Sequence, residues 1–313
     1  MNNQTPAITV CICTFNRCDR LKPLVADLRK QTSSIPFNIL IINNNSTDQT
    51  EEVLQKLTEE DGIIPLRYVT ESQQGISYAR NRAITECLDT DFMLFIDDDE
   101  IPVQGLINAA ADALINENAD CVGGRIEVCF EEMVRPQWLS DSLMGFLGEH
   151  DYGPQALWIS DTSKPLWTGN IAYNMAIFKD NPSLRFDLRY NRKGEGVGGG
   201  EDVIMFEQLV DRKYRIRYRP EMIVQHYIDN WKIKRSYFFK LHFIAGINQG
   251  RYELEEYGKS IFGIPLFLFN QAVKQTLKWL KLGLKSDPET MRQGMNVTYA
   301  LGLIWGCFLN WKK

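Results

Sequence analysis

Over its first 130 residues this chain alternates short apolar runs with amphipathic stretches, and no other feature restricts its fold as tightly. "AITVCICTF" (7–15) reads as a short apolar strand. "RLKPLVADLRKQ" follows, with Leu21, Leu24, Val25 and Leu28 at helical spacing. "FNILIIN" (37–43) is a second strand, and "STDQTEEVLQKL" offers Ser46, Thr47 or Asp48 as caps with Val53, Leu54 and Leu57 as an apolar face. "LRYVT", "ISYARNRAITECL" and "FMLFI" (92–96) continue as strand, helix and strand. Strands alternating with helices of this length imply an α/β fold: a mostly parallel central sheet flanked by helices on both faces.

In such sheets ligands sit beyond the carboxyl ends of the strands. The segments there are "TFNR" (14–17), "NNNSTD" (43–48), "ESQQG" (71–75) and "DDDE" (97–100), all polar and all expected along one edge. The last is an unusual way to end a buried strand, because adjacent carboxylates repel and need a cation, solvent or protons. Asp97 and Asp99 offer hard oxygen ligands in a D-x-D, suited to Mg²⁺ or Mn²⁺ shared with phosphates. An acidic turn capping the helix that starts near Val103 is the plainer reading, and the residues alone leave both open. "GGGED" (198–202) runs glycines into Glu201 and Asp202, either a base behind a loop that can fold over a ligand or ordinary acids at a helix start. "GEGVGG" (194–199) matches G-x-G-x-x-G literally, but no strand precedes it. His226 ends the strand "MIVQH", where a neutral imidazole could complete a metal's coordination.

The net charge of −5 gives no reason to expect nucleic acid as a partner. Seven scattered cysteines, with Cys11 and Cys13 on one strand face, read as reduced thiols and a cytoplasmic location; the opening "MNNQTPA" lacks the basic start and apolar run of a leader. Beyond residue 120, "CVGGRIEVCF" and "GNIAYNMAIF" look like strands, and "YRIRYRPEMIVQHY" (214–227) like a strand pair around Pro220. "IKRSYFFKLHFIAGINQGRYEL" reads as a long helix. "FGIPLFLFNQAVKQTLKWLKLGLK" (262–285) is amphipathic, with Lys274, Lys278, Lys281 and Lys285 among large apolar residues. "VTYALGLIWGCFLNW" (297–311) is too short to cross a bilayer and reads equally as an interfacial helix or as one packed on the catalytic domain.

In this order, "CICTFNR", "IINNNSTDQT", "QGISYARN", "FIDDDE", "GN" (169–170), "GGGED" and "QHY" resemble a family 2 glycosyltransferase of the GT-A, Rossmann-like fold, close to the bacterial exopolysaccharide and surface-glycan branch. The resemblance covers residues 8 to about 230. It implies a catalytic domain over 1–232, with a nucleotide-sugar half to about 125 and an acceptor half over 126–232, followed by a helical extension over 233–313. It assigns nucleotide-sugar binding to Thr14, Asn16, Arg17, Asn43, Asn44, Asn45, Gly75, Arg80, Asp97 and Asp98. Asp97, Asp99 and His226 become metal ligands for Mn²⁺ or Mg²⁺. Asp202 becomes the base with Glu201 beside it, and Trp167 and Asn170 line the acceptor side, where Trp138 and Trp158 could also stack on sugar faces. Asn43 stands where the family commonly has an aspartate reading the base.

The implied reaction is inverting transfer from a nucleotide-diphosphate sugar, a UDP-sugar first, to a glycan or lipid-linked saccharide. The C-terminal helices would give peripheral contact with the inner face of the plasma membrane. A metal-dependent nucleotidyltransferase or phosphohydrolase, or a non-catalytic nucleotide-sugar binder, are the rival readings.

Overall fold

The computed structural model describes residues 5–312 except 61, 63, 131–132, 193–196 and 256. Residues 193–196, inside the glycine-rich loop expected at 191–200, therefore lie outside the described residues.

The alternation expected at the start is present. It runs β1 (Ile8–Thr14), α1 (Cys18–Arg29), β2 (Phe37–Asn43), α2 (Thr50–Glu59), β3 (Leu66–Thr70), α3 (Ile76–Glu86) and β4 (Phe92–Asp97). Then come β5 (Glu100–Pro102), α4 (Leu106–Ile115), β6 (Cys121–Cys129), β7 (Leu157–Ile159), β8 (Asn170–Asn174), α5 (Ala176–Asp180), α6 (Glu201–Asp211) and β9 (Ile216–Tyr227). The strands form one sheet in the order β3-β2-β1-β4-β8-β6-β9-β5, with β7 beside β9. The first four are parallel, as the sequence implies. The second half is mixed: β8 is antiparallel to β4 and β6, while β6 and β9 are parallel.

Strand alternation divides the core. Ile8, Val10 and Ile12 of β1 face a cluster built with α1, α2 and α4. Cys11 and Cys13 face the opposite cluster, with Ala79 and Ala83 of α3 and Met205, Phe206 and Leu209 of α6. Both faces are covered, so the strands read as continuous apolar runs rather than alternating ones. All the cysteines are free thiols, and Cys11, Cys13, Cys87, Cys121 and Cys307 are buried as small apolar residues.

The strand pair expected around Pro220 is a single strand, β9. Its pairing with β6 is Gly124 to Arg219 and then Arg125 to Ile223, so residues 220–222 bulge out of register. Proline lacks an N–H and is tolerated where the ladder is already broken. Glycine is needed opposite, because a Cβ at Gly124 would stand 2.0 Å from the Met222 carbonyl oxygen.

Residues 5–130, 148–192 and 201–227 form one compact unit, and residues 133–147, 197–200 and 228–312 form a second. The second unit draws in two segments that the sequence places within the first 232 residues. It contains α7 (Arg235–Asn248), a short hairpin of β10 (Ser260–Ile261) and β11 (Ile264–Pro265), α8 (Leu266–Leu284) and α9 (Thr290–Trp311). α9 packs on α7 through backbone-close contacts, since a Cβ at Gly302 would stand 2.0 Å from the Phe243 carbonyl oxygen. Met291, Met295, Val297, Ala300, Leu303 and Cys307 of α9 are buried. Residues 297–311 thus lie in a helix that packs on α7 within the second unit. No helix among the described residues is long and apolar enough to cross a membrane.

Candidate active site

Parallel register brings the strand ends to one edge: Thr14 pairs with Asn43, Asn43 with Thr70, and Cys13 with Asp97. The "DDDE" turn is built here, and each acid has its own partner. The Thr14 hydroxyl donates to Asp98 Oδ2 at 2.7 Å. Burial, reinforced by the charge of Asp99, pushes the Asp98 carboxyl up to about 7. Glu100 turns inward, 3% exposed, and accepts from the Asp97 amide at 3.0 Å, closing the turn. Burial and then the Asp97 charge push its carboxyl well above the usual range. A Cβ at Gly169 would meet Glu100 Oε1 at 2.6 Å, which explains the glycine of "GN".

Asp99 reaches across to the end of β9. Its Oδ2 lies 3.5 Å from His226 Nε2, and its carbonyl accepts from the Tyr227 amide at 2.9 Å. The other ring nitrogen, His226 Nδ1, is buried without a hydrogen-bond partner. Asp97 faces the other way, with Oδ1 3.4 Å from Arg80 Nη2. Among the described residues no three His, Cys, Asp or Glu side chains converge as a ready metal cage. The pair Asp99–His226 is assembled, while Asp97 is turned toward Arg80.

Arg80 joins the two acidic segments of the chain. Its Nη1 lies 2.9 Å from Glu201 Oε1 and 2.5 Å from Asp202 Oδ1. The guanidinium is 3% exposed and lies over the Phe186 ring at 5.4 Å from the centroid. Burial alone would favour proton loss, but Asp202, Asp97 and Glu201 outweigh it and push the guanidinium further up. α6 begins at Glu201, so both acids sit in its first turn, where the helix dipole favours negative charge. Glu201 is 4% exposed with Oε2 unpartnered; burial, then Asp202, push it up to about 7. Asp202 is more open and also accepts a hydrogen bond from the Thr168 hydroxyl.

The asparagines at the end of β2 are largely engaged within the fold. Asn44 accepts from the Gly75 amide at 2.7 Å and donates to the Gln73 carbonyl at 2.8 Å, tying down the 71–75 loop. Gly75 itself, at φ 137°, leaves no room for a side chain beside Asn191. Asn16, at φ 52°, holds the Thr47 amide at 2.7 Å. Asn45 is exposed, and the charge of Arg17 acts on Asp98, opposing its rise. Asn43 donates to Glu51 Oε2 at 2.6 Å, and Tyr68 donates to Glu51 Oε1 at 2.9 Å. Glu51 thus returns a carboxylate to the place where Asn43 lacks one.

On the expected acceptor side, Trp167 is half-buried, but Asn170 is 1% exposed and donates to the carbonyls of Arg125 and Met222, both at 2.9 Å. Asn170 is a tie across the sheet; Thr168, two residues earlier, is the one that reaches Asp202. The guanidiniums of Arg215 and Arg217 lie over the Trp158 ring at 5.0 and 4.8 Å from its centroid, and Trp138 packs on Phe238 in the second unit. Thr168 and Glu51 are the residues the sequence does not flag. Thr168 adjoins the "GN" motif, which is the one signal that could have found it. A cavity of about 650 Å³ lies at the opposite edge of the sheet, lined by Ala7, Gln31, Phe37 and Pro65, away from these acids.

The family model described as "Glycosyl transferase family 2" matches residues 9–181. A curated relative, the GalNAc(5)-diNAcBac-PP-undecaprenol beta-1,3-glucosyltransferase of Campylobacter jejuni, is 26% identical over 103 residues, a third of each chain. The match therefore spans well under two thirds of that relative. Among solved structures, residues 1–349 of S. aureus TarS in complex with UDP-GlcNAc align with a TM-score of 0.55 at 15% identity, covering 95% of this chain and 90% of that one. The mannosyltransferase PcManGT from Pyrobaculum calidifontis, in complex with GDP-Man and Mn²⁺, aligns with a TM-score of 0.61 at 13% identity, covering 97% and 88%. At these identities the two structures establish the shared fold.

Proposed function

The chain belongs to glycosyl transferase family 2, and on that premise we propose that it moves a sugar, with inversion, from a UDP-sugar to a lipid-linked saccharide with the help of a divalent metal. The observation that carries the reading is the Arg80 guanidinium. It gathers Asp97, at the end of β4, with Glu201 and Asp202, more than a hundred residues later. A metal-type acidic turn and a base-type acid thereby share one edge of the sheet.

Asp202 is the base. It accepts from Arg80 and Thr168, which orient its carboxylate. It would take the proton of an acceptor hydroxyl as that oxygen attacks the anomeric carbon from the face opposite the diphosphate. A single displacement of this kind needs no covalent intermediate. Glu201 is held by Arg80 and buried, which suits it to fixing the guanidinium rather than to attacking the sugar.

The donor chemistry of Asp97, Asp99 and His226 fits Mn²⁺ or Mg²⁺, and the partnerless His226 Nδ1 is consistent with a ring that turns to a ligand. When bound, such an ion would supply charge stabilisation to the leaving diphosphate. Thr14, Asn43 and Glu51 flank the place for the nucleoside, and Glu51 supplies an acceptor for a base N–H. Trp167 offers an apolar face to the acceptor sugar. The name of the Campylobacter relative, which acts on a saccharide carried by PP-undecaprenol, supports an acceptor of that chemical class.

A panel of nucleotide sugars, scored for hydrolysis with and without Mn²⁺, tests the reading. Release of nucleoside diphosphate from one donor, dependent on the metal, is expected; release of pyrophosphate would place the chemistry at phosphorus instead. Asp202→Asn should lower transfer by about 10²–10⁴-fold and leave calorimetric donor affinity nearly intact. Equal loss of both would remove Asp202 from the base role.

A further inference from the structure

The second unit carries an exposed apolar surface. α8 turns Leu266, Phe269, Val273, Leu277, Leu280 and Leu284 to solvent, with exposures from 41% to 90%. At 100° per residue these six fall within an arc of about 80°, while Leu268 and Ala272, elsewhere on the helix, are buried. Lys274, Lys278, Lys281 and Lys285 each follow a stripe residue by one position, so they stand as a row along one flank, all exposed. At the N-terminal end of α8 the hairpin tip exposes Ile261 and Phe262. The Phe262 ring packs on Trp311 of α9 at 5.2 Å, and Trp305 and Trp311 are themselves about half exposed.

An apolar stripe of this size on a soluble surface marks an interaction site. Its charge says with what. Residues 257–313 hold eight lysines and arginines against two acids, a net of +6, while the rest of the chain nets −11. Between 257 and 286 there is no Asp or Glu at all.

We propose that α8, with the aromatic cluster at its N-terminal end, seats on an anionic phospholipid bilayer as an interfacial helix. Its leucines enter the acyl boundary, and its lysines extend their stems along the apolar surface to reach the phosphates. The helix lies on the membrane because it is not long and apolar enough to cross it. A second copy of the chain is the poorer occupant, since stripe-to-stripe pairing would offer the lysines no acid to face. This inference does not rest on the catalytic reading.

The test is co-sedimentation of the full chain with vesicles of phosphatidylcholine alone and of phosphatidylcholine with phosphatidylglycerol. Binding to the mixed vesicles only, weakening as salt rises, is expected. Lys274→Gln/Lys278→Gln/Lys281→Gln should weaken binding by roughly a hundredfold, at about 1 kcal/mol per lysine. Leu277→Asp/Leu280→Asp should remove binding without shifting the thermal midpoint, and both variants should keep the metal-dependent donor hydrolysis of the parent in solution. No binding, or equal binding to both vesicle types, overturns the proposal. So does a dimer by light scattering that Leu277→Asp/Leu280→Asp splits while vesicles fail to sediment the protein. Loss of hydrolysis in Asp202→Asn would leave vesicle binding unchanged, so the two readings fail separately.

Discussion

At the carboxyl edge of the sheet, three carboxylates share one buried guanidinium; on α8, four lysines stand in solvent beside six exposed apolar side chains. In the first region charge is inside and each group depends on its neighbours. In the second, apolar surface is outside and each residue is nearly independent of the fold. Mutations should therefore behave as a coupled set in one region and as additive surface changes in the other.

The largest stability effect belongs to the coupled side. Arg80→Met should cost about 3–5 kcal/mol, because it leaves the buried Glu201 and the partly buried Asp97 and Asp202 without their cation; urea denaturation would measure it. A cost near zero would mean that the acids are not coupled through Arg80. Next comes a control within the helical unit. Leu303→Ala, in the buried seam of α9, should cost about 2–5 kcal/mol, whereas Leu277→Asp should stay within about 0.5 kcal/mol. Similar costs at the two leucines would show that the α8 stripe is not free surface.

A pH experiment sharpens the contrast at smaller scale. Glu201 is raised in the folded protein from its ordinary 4.5 to about 7, so the native state holds a proton that the unfolded chain has released. Stability from this group is present below about pH 4.5 and lost as pH rises through about 7. The melting temperature of the wild type should fall relative to that of Glu201→Gln across this window. A flat difference between the two proteins would deny the burial of Glu201.

Much of the parallel half of the sheet was legible because β1, β2 and β4 are buried on both faces and must be continuously apolar. The helices between them were legible from their single apolar stripe. The strand ends were legible for the same reason, which is why Thr14, Asn43 and Asp97 fall together as expected. Pro220 misled, since a proline reads locally as a break, while the fold absorbs it in a bulge opposite Gly124. Asn170 was flagged by its motif, yet its amide ties β8 to β6 and β9. Glu51 and Thr168 carry no local pattern: each matters only through a partner brought near by folding.

From the order of its residues alone, the chain determined the alternating strands and helices of its first half, the polar edge and the basic character of its tail, because periodicity and composition are local properties. Tertiary structure decided that Arg80 serves three acids, that Asp99 meets His226, and that α8 keeps Leu277, Leu280 and Leu284 in solvent while α9 buries Leu303. Those outcomes depend on distances between segments far apart in the chain, and electrostatic and packing energies are set by distance and burial rather than by position in the sequence.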